Sequence, residues 1–312
     1  MSVLTFACIS QENGHNGGMS IASALLLTLL VQPASSPFVQ ETVTEVGSGY
    51  RFCEGPAWVG NQFVFCDMRG DTVYSWSGKM GDKPQVLRNP CGNAVGSSPI
   101  KGGLVQVELA GRRIIKWNPS KPQEVSTLAD NFEGKKLGGM NDLAAHPNRS
   151  VYVTHAEWFL RPTDLEFKHS GVLKVDPKGK VRIAVDGIAQ PNGICFNPKG
   201  NIAYVTEYSS GKILAFDVEK GTGALTKQRI FADLNVYAEK QGIKMRGGAD
   251  GLRTDRKGNI FSTGPGGIWV LNSKAEFIAH LPVIATNLAI GGKDGKTLLI
   301  TKRNDVVAIN LK

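Results

Sequence analysis

An all-β, six-bladed β-propeller is the fold class this sequence predicts. Three observations carry that reading: a unit that recurs six times, turn chemistry between the recurrences, and no long amphipathic helical period. The unit is clearest at residues 191–206, PNGICFNPKGNIAYVT. A polar Asn-Gly entry leads into a short apolar run, a Pro-Lys-Gly-Asn turn and an alternating strand. Asn-Pro and Lys-Gly-Asn are breaker sequences in which Gly or Asn supplies the positive φ of a tight turn. Comparable units begin at Glu54, Asn93, Asn141, Asp250 and Asn287; with Asn192 included, the starts lie 39, 48, 51, 58 and 37 residues apart. A strand, turn and strand recurring at about 40–50 residues is the period of a propeller blade. One copy is too small to bury its own faces, so the copies must pack around a shared axis.

The blades follow in order. The first opens on EGPAW, with strands expected at 62–66 and 71–76. The second has Gly102-Gly103 before strands at 104–108 and 113–117, and the third runs through 141–154 and 171–176. The fourth covers 192–206 and 211–217, the fifth 250–263 and 267–272, the sixth 287–301 and 305–310. Each run is rich in Val, Ile, Phe and Tyr and bounded by Gly, Pro, Asn or Asp, the composition of strands and their turns. The chain ends on a strand, so a strand from residues 41–47 is expected to pair with it and remove the open sheet edge. Residues 236–244 read as a short helix or a loop. Residues 158–169 and 234–248 exceed ordinary connector length and are candidate lids or rim loops over the channel.

The 312 residues suffice for one large core, and all-β repeats of this size are commonly a single domain. The sequence therefore divides into an N-terminal segment, 1–40, expected outside the fold, and a propeller domain, 41–312. Residues 20–31, SIASALLLTLLV, are too few to span a bilayer as a helix, and Pro33-Ala34-Ser35-Ser36 resembles a cleavage region. That combination predicts export to a periplasmic or extracellular space. A disordered tail with an apolar patch is the alternative, because no Lys or Arg precedes the run. The net charge is +9, but the basic residues are scattered and no aromatic-interleaved basic stripe is present, so nucleic-acid binding is not expected. A generally basic surface favours anionic substrates or surfaces. The five cysteines show no metal-binding spacing; Cys53 and Cys66 flank the first hairpin, either as a disulfide or as buried thiols.

The six unit openings, Glu54, Asn93, Asn141, Asn192, Asp250 and Asn287, are all carboxylates or carboxamides. In a propeller, equivalent positions converge on the central channel, so residues far apart in sequence can build one oxygen-rich site. EGPAW, MNDLAAHP, QPNGICFNPKGNIAYVTE, ADGLRTDRKGNIFST and ATNLAIGGKDGKTLLIT, in this order, resemble the motifs of the gluconolactonase / senescence marker protein (regucalcin) family, nearest its lactonase branch. The resemblance runs from about residue 45 to 311. It implies a six-bladed propeller with one divalent metal at the channel mouth, held by Glu54, Asn192 and Asp250. It further implies that Asn141 joins the site or contacts substrate, and that the reaction is hydrolysis of a lactone or related ester. The second unit, CGNAVGSSP, departs from the family's pattern at Asn93, and Gly139 stands where related enzymes can carry Arg.

The donor types agree with the implied chemistry. Two carboxylates with carboxamides, and no His or Cys, form a hard oxygen set suited to Ca²⁺ first, then Mg²⁺, Mn²⁺ or Zn²⁺. Converging carboxylates without a cation repel and raise one pKa. A bound cation would polarise the lactone carbonyl, with Asp250 both ligand and proton acceptor, and Asn141 and Asn93 on the substrate. Taken singly, each residue also fits a turn: Asp250-Gly251 is a turn dipeptide, and Asn141 and Asn192 suit Asx-turns. His155 and Glu157 read as a solvated loop, with lining of the pocket as the alternative. A hydrolase of other esters or phosphoesters, or a non-catalytic ligand- or protein-binding propeller, are the other readings. No Gly-x-Ser-x-Gly elbow is present, which argues against a serine hydrolase.

Overall fold

A computed structural model describes residues 36–40, 42–158 and 161–312. Among them, six four-stranded antiparallel sheets follow one another along the chain. Their innermost strands are Cys53–Val59, Ala94–Ile100, Met140–Ala145, Pro191–Phe196, Leu252–Thr254 and Asn287–Gly291. Each contacts the next, and the first contacts the last, so the six form a closed ring around a channel. The sixth blade, Asn287–Gly291, Thr297–Thr301 and Asp305–Asn310, is completed by Thr44–Ser48 from the start of the domain, which pairs antiparallel with Asp305–Asn310. The α-helix Leu234–Lys240, N-capped by the Asp233 carboxylate, overlaps the 236–244 region read as helix or loop and begins two residues before it.

Why the second strands read as near-continuous apolar runs is visible in the packing. Alternate residues of a strand face opposite sides, and here both sides are core. From Gln62–Asp67, Phe63 and Phe65 pack towards the sixth blade with Leu299 and Val306, while Val64 and Cys66 pack towards the second with Leu104 and Ile115. The same division recurs at every junction, giving six apolar clusters, each shared by two neighbouring blades.

Between the blades the inner strands are stitched by side chains. Thr154 accepts from Asp142 N (3.0 Å) and donates to the Asn192 carbonyl of the next blade (2.6 Å). Thr206 repeats this one blade on, accepting from Gly193 N (2.7 Å) and donating to the Asp250 carbonyl (2.6 Å). Thr286 closes the ring by donating to the Cys53 carbonyl (2.7 Å). A β-branched residue with a hydroxyl suits this place: it fits the strand and supplies both a donor and an acceptor.

Two sequence expectations are corrected, for residues 36–40 and for His155, and the alternative left open at the cysteines is decided for buried thiols. The segment 36–40 belongs to the fold: Phe38 is buried against Phe261 and bridges to Leu311. Cys53, Cys66, Cys91 and Cys195 are all free and buried, and Cys66 Sγ takes a hydrogen bond from Gln106 Nε2 (3.2 Å) rather than pairing with Cys53. His155 is fully buried, not solvated. The expectation for residues 1–35 lies outside the described residues.

Thr206→Val keeps the shape of the side chain but strips two buried backbone partners. It is expected to cost about 1–3 kcal/mol and to lower Tm by roughly 2–10 °C, with Thr206→Ser recovering most of the loss. Scanning calorimetry of the two variants checks this. Deleting residues through Ser48 uncovers the edge of Asp305–Asn310 and the partners of Val46 and Phe38. The expected loss is about 3–6 kcal/mol, read as a Tm drop of roughly 10 °C or more, relative to a chain beginning at residue 36. Equal Tm values would show that the closing strand is dispensable.

Candidate active site at the channel mouth

Strand register decides which residues share the site. Glu54 pairs with Cys66, and the registers of the following blades set Val95, Asn141 and Asn192 at the matching point. Backbone bonds extend the ring: Gly193 N donates to the Asp250 carbonyl (3.2 Å) and Gly251 N to the Thr286 carbonyl (2.9 Å). The six equivalent residues are therefore Glu54, Val95, Asn141, Asn192, Asp250 and Thr286. Four are those the sequence singled out. Asn93 falls two residues short of the ring; it sits in the preceding turn at φ 51°, its side-chain amide donating to the Met68 carbonyl (2.9 Å), and Val95 holds its place. Asn287 falls one residue beyond.

The next position along each inner strand is where neighbouring backbones come closest. A Cβ on Gly55, at φ 54°, would overlap the Val95 carbonyl, and one on Gly193 would collide with the Asp250 carbonyl. Only glycine allows that approach. In the third and sixth blades this position holds Asp142 and Asn287, and their side chains form a buried polar cluster with Arg253. Arg253 Nη1 donates to Asp142 Oδ2 (3.0 Å). Asn287 Nδ2 lies between two carboxylates, 3.4 Å from Asp142 Oδ2 and 3.3 Å from Glu54 Oε2. The Glu54 carboxylate also accepts from Gly55 N (3.1 Å). Sequence reasoning passed over Asp142 and Arg253. The available signal was Asp142 itself, a charged residue where the fourth- and fifth-blade motifs have Gly.

The charges do not balance. Arg253 is ion-paired with Asp142, while among the described residues neither Glu54 nor Asp250 forms an ion pair, although the Arg253 charge partly opposes the rise at Glu54. Burial, with the neighbouring Asp142 charge adding to it, raises the Glu54 carboxyl to about 8. Asp250 is driven well above the carboxylate range by burial and then by the Glu54 and Asp142 charges, with an Asn192 hydrogen bond opposing. Two further atoms point to a missing partner. Asn192 Oδ1 and Asp250 Oδ1 are buried without any hydrogen bond, and buried oxygens are seldom left so. Among the described residues no three His, Cys, Asp or Glu side chains come together as metal ligands. A cation here would need the Asn192 carboxamide oxygen beside the two carboxylates, and that hard oxygen set fits a divalent ion of the Ca²⁺ or Mg²⁺ type.

His155 lies in the third blade, on the far side of Thr154. Its Nδ1 contacts the His169 carbonyl (2.9 Å), and burial lowers its pKa to about 4, so it stays neutral. It packs on Phe167 and His169 and serves the wall of the third blade.

Comparison with known proteins agrees with this fold. A gluconolactonase of Zymomonas mobilis is 27% identical over 299 residues, covering 88% of this chain and 82% of the relative. Among solved structures, a gluconolactonase from Xanthomonas campestris superposes with a TM-score of 0.74 at 23% identity, covering 90% of this chain and 95% of the other. A calcium-binding regucalcin from Agrobacterium tumefaciens does so at 0.64 and 19%, with coverage of 90% and 95%. These two likenesses establish the fold, a six-bladed propeller. The profile of the SMP-30/Gluconolactonase/LRE-like region matches residues 52–304, and this chain belongs to that family.

Proposed function

We propose that the protein is a metal-dependent lactonase that opens a sugar-type lactone to its hydroxy acid. One observation carries the reading: among the described residues the buried Glu54 and the half-buried Asp250 form no ion pair, and beside them an Asn192 oxygen and an Asp250 oxygen are buried with nothing to satisfy them. Family membership and the Zymomonas relative's name support the lactone as substrate.

Glu54, Asn192 and Asp250 would hold the divalent ion, Ca²⁺ in the first place. When bound, it supplies Lewis-acid polarisation of the lactone carbonyl and lowers the pKa of water. The chain's own residues do the rest. Asp250 accepts the proton of the attacking water as its oxygen bonds to the carbonyl carbon. The bond between that carbon and the ring oxygen then breaks, and the ring oxygen takes up a proton to become the hydroxyl of the open acid. Asn192, its carboxamide bonded to the Asp250 carboxylate, keeps that base oriented. Asn141, buried at the matching point of the third blade, donates to the oxyanion as it develops. Asn93, outside the ring, contacts the substrate's periphery.

Metal-stripped protein should turn over glucono-1,5-lactone only after a divalent ion is restored. Asp250→Asn should lower kcat by at least about 10²-fold, and Glu54→Gln should weaken Ca²⁺ binding, read by calorimetry, by about tenfold or more. Ca²⁺ binding without turnover of any γ- or δ-lactone would move the assignment to another ester or to a binding role.

Proton linkage gives a second check. The cation needs both carboxylates ionised, so binding releases protons and the apparent affinity should climb with pH up to about 8. In metal-free protein the folded Glu54 pKa lies above its ordinary 4.5. The neutral form is the one the fold favours. That contribution is complete below about pH 4.5 and is lost as pH rises through 8. Tm in EDTA should therefore fall between pH 5 and 8, and saturating Ca²⁺ should remove the fall; a flat metal-free profile would contradict the site.

A further inference from the structure

The mouth of the channel carries two exposed arginines whose charges no carboxylate answers. Arg69 and Arg303 place their guanidinium carbons over the ring of Phe52, 5.3 and 5.8 Å from its centroid. Among the described residues no Asp or Glu lies within 4 Å of either guanidinium. The nearby acid, Asp67, is occupied: its carboxylate accepts from the backbone amides of Arg51 (3.1 Å), Phe52 (2.9 Å) and Gly70 (3.0 Å). Those bonds also fix the platform. Met68 N donates to the Phe52 carbonyl (2.8 Å), and Cys53 N donates to the Arg303 carbonyl (2.9 Å). Both arginines thus stand on loops hydrogen-bonded to the segment that runs straight into Glu54.

A cleft of about 330 Å³ opens on the same face, lined by Arg69, Asn93, Arg112 and Met140, the residue before Asn141. Arg112 is committed elsewhere, to the Leu137 and Lys136 carbonyls and to Glu166. Gly139 keeps the cleft open: at φ 65°, a Cβ there would overlap the Ala156 carbonyl, so no side chain can grow from that wall. The free charge in the cleft is that of Arg69.

Resting on the lactonase reading, we propose that Arg69 and Arg303 form an anion site that selects lactones carrying a second, acidic substituent, a carboxylate or a phosphate remote from the ring carbonyl. A guanidinium held against an aromatic face keeps its N–H edge free for an oxyanion, and both groups suit its fork geometry.

The test compares wild type with Arg69→Gln, Arg303→Gln and the double variant. With saturating Ca²⁺, kcat/KM is measured for neutral glucono-1,5-lactone, glucaro-1,4-lactone and 6-phosphoglucono-1,5-lactone. The preference of wild type for an acidic lactone over the neutral one should fall about tenfold or more in the double variant, through KM. The two acidic substrates show which anion the site takes. Equal losses on neutral and acidic lactones, or no initial preference, would overturn the proposal. A binding arm separates it from the lactonase reading: titration with D-glucarate against D-gluconate, followed calorimetrically. If no lactone is hydrolysed, the lactonase reading fails. A glucarate affinity at least about tenfold weaker in the double variant would still support the anion site, and an unchanged affinity would reject it.

Discussion

Everything in this molecule depends on how closely six strands can approach one axis. Side chains at Gly55 and Gly193 would strike the carbonyls of the next blade, so the inner ring is a backbone-to-backbone contact. Its distances are set by the six apolar clusters that press the blades together. The candidate site inherits that rigidity. Asn192 and Asp250 have their carbonyls held by Thr154 and Thr206 of the preceding blade, so each donor is aligned by the strand behind it rather than by a mobile loop. A site on strand ends braced by neighbouring blades meets the requirement that ligands be held by structure rather than by one another.

The electrostatics of the channel follow from the same crowding. Raising Glu54 from 4.5 to about 8 corresponds to roughly 5 kcal/mol in favour of the neutral acid. The bonds from Gly55 N and Asn287 oppose this, but hydrogen bonds to a charged group contribute about 1.5–3 kcal/mol each, and their sum has not overcome burial. Hydrogen bonding alone therefore does not keep Glu54 ionised. Arg253 is ion-paired with Asp142, and its charge opposes the rise at Glu54 without overcoming burial. The polar cluster divides into a neutralised pair and an acidic pair.

The blades were legible because a period of two, punctuated by Gly, Asn and Pro, survives in every copy. The second strands were plain because both faces are buried, which leaves a run such as QFVFC. The site was legible where donor type and repeat position coincide, at Glu54, Asn141, Asn192 and Asp250. It was not at Asn93: a unit start judged by residue type landed two residues away from the position that register assigns to Val95. Asp142 and Arg253 escaped for another reason. Their partnership spans 111 positions and exists only because the ring brings the inner strands of the third and fifth blades to one channel. His155 was misjudged because it was read within its loop, whereas Phe167 and His169, brought over it by the returning chain, are what bury it.

Net charge says little about which cations matter. Of the 36 basic residues, many extend into solvent or pair locally, as Lys121 does with Glu124 and Arg161 with Asp164, and exposed pairs of that kind contribute little. Three properties together distinguish Arg69 and Arg303: a rigid aromatic support, loops hydrogen-bonded to the segment that leads into Glu54, and no carboxylate in reach among the described residues. Each alone is common on a basic surface. In combination they put uncompensated positive charge at the entrance of the channel. An anionic substituent would be held at the entrance, which leaves the uncharged lactone carbonyl as the end of the substrate directed at Asp250.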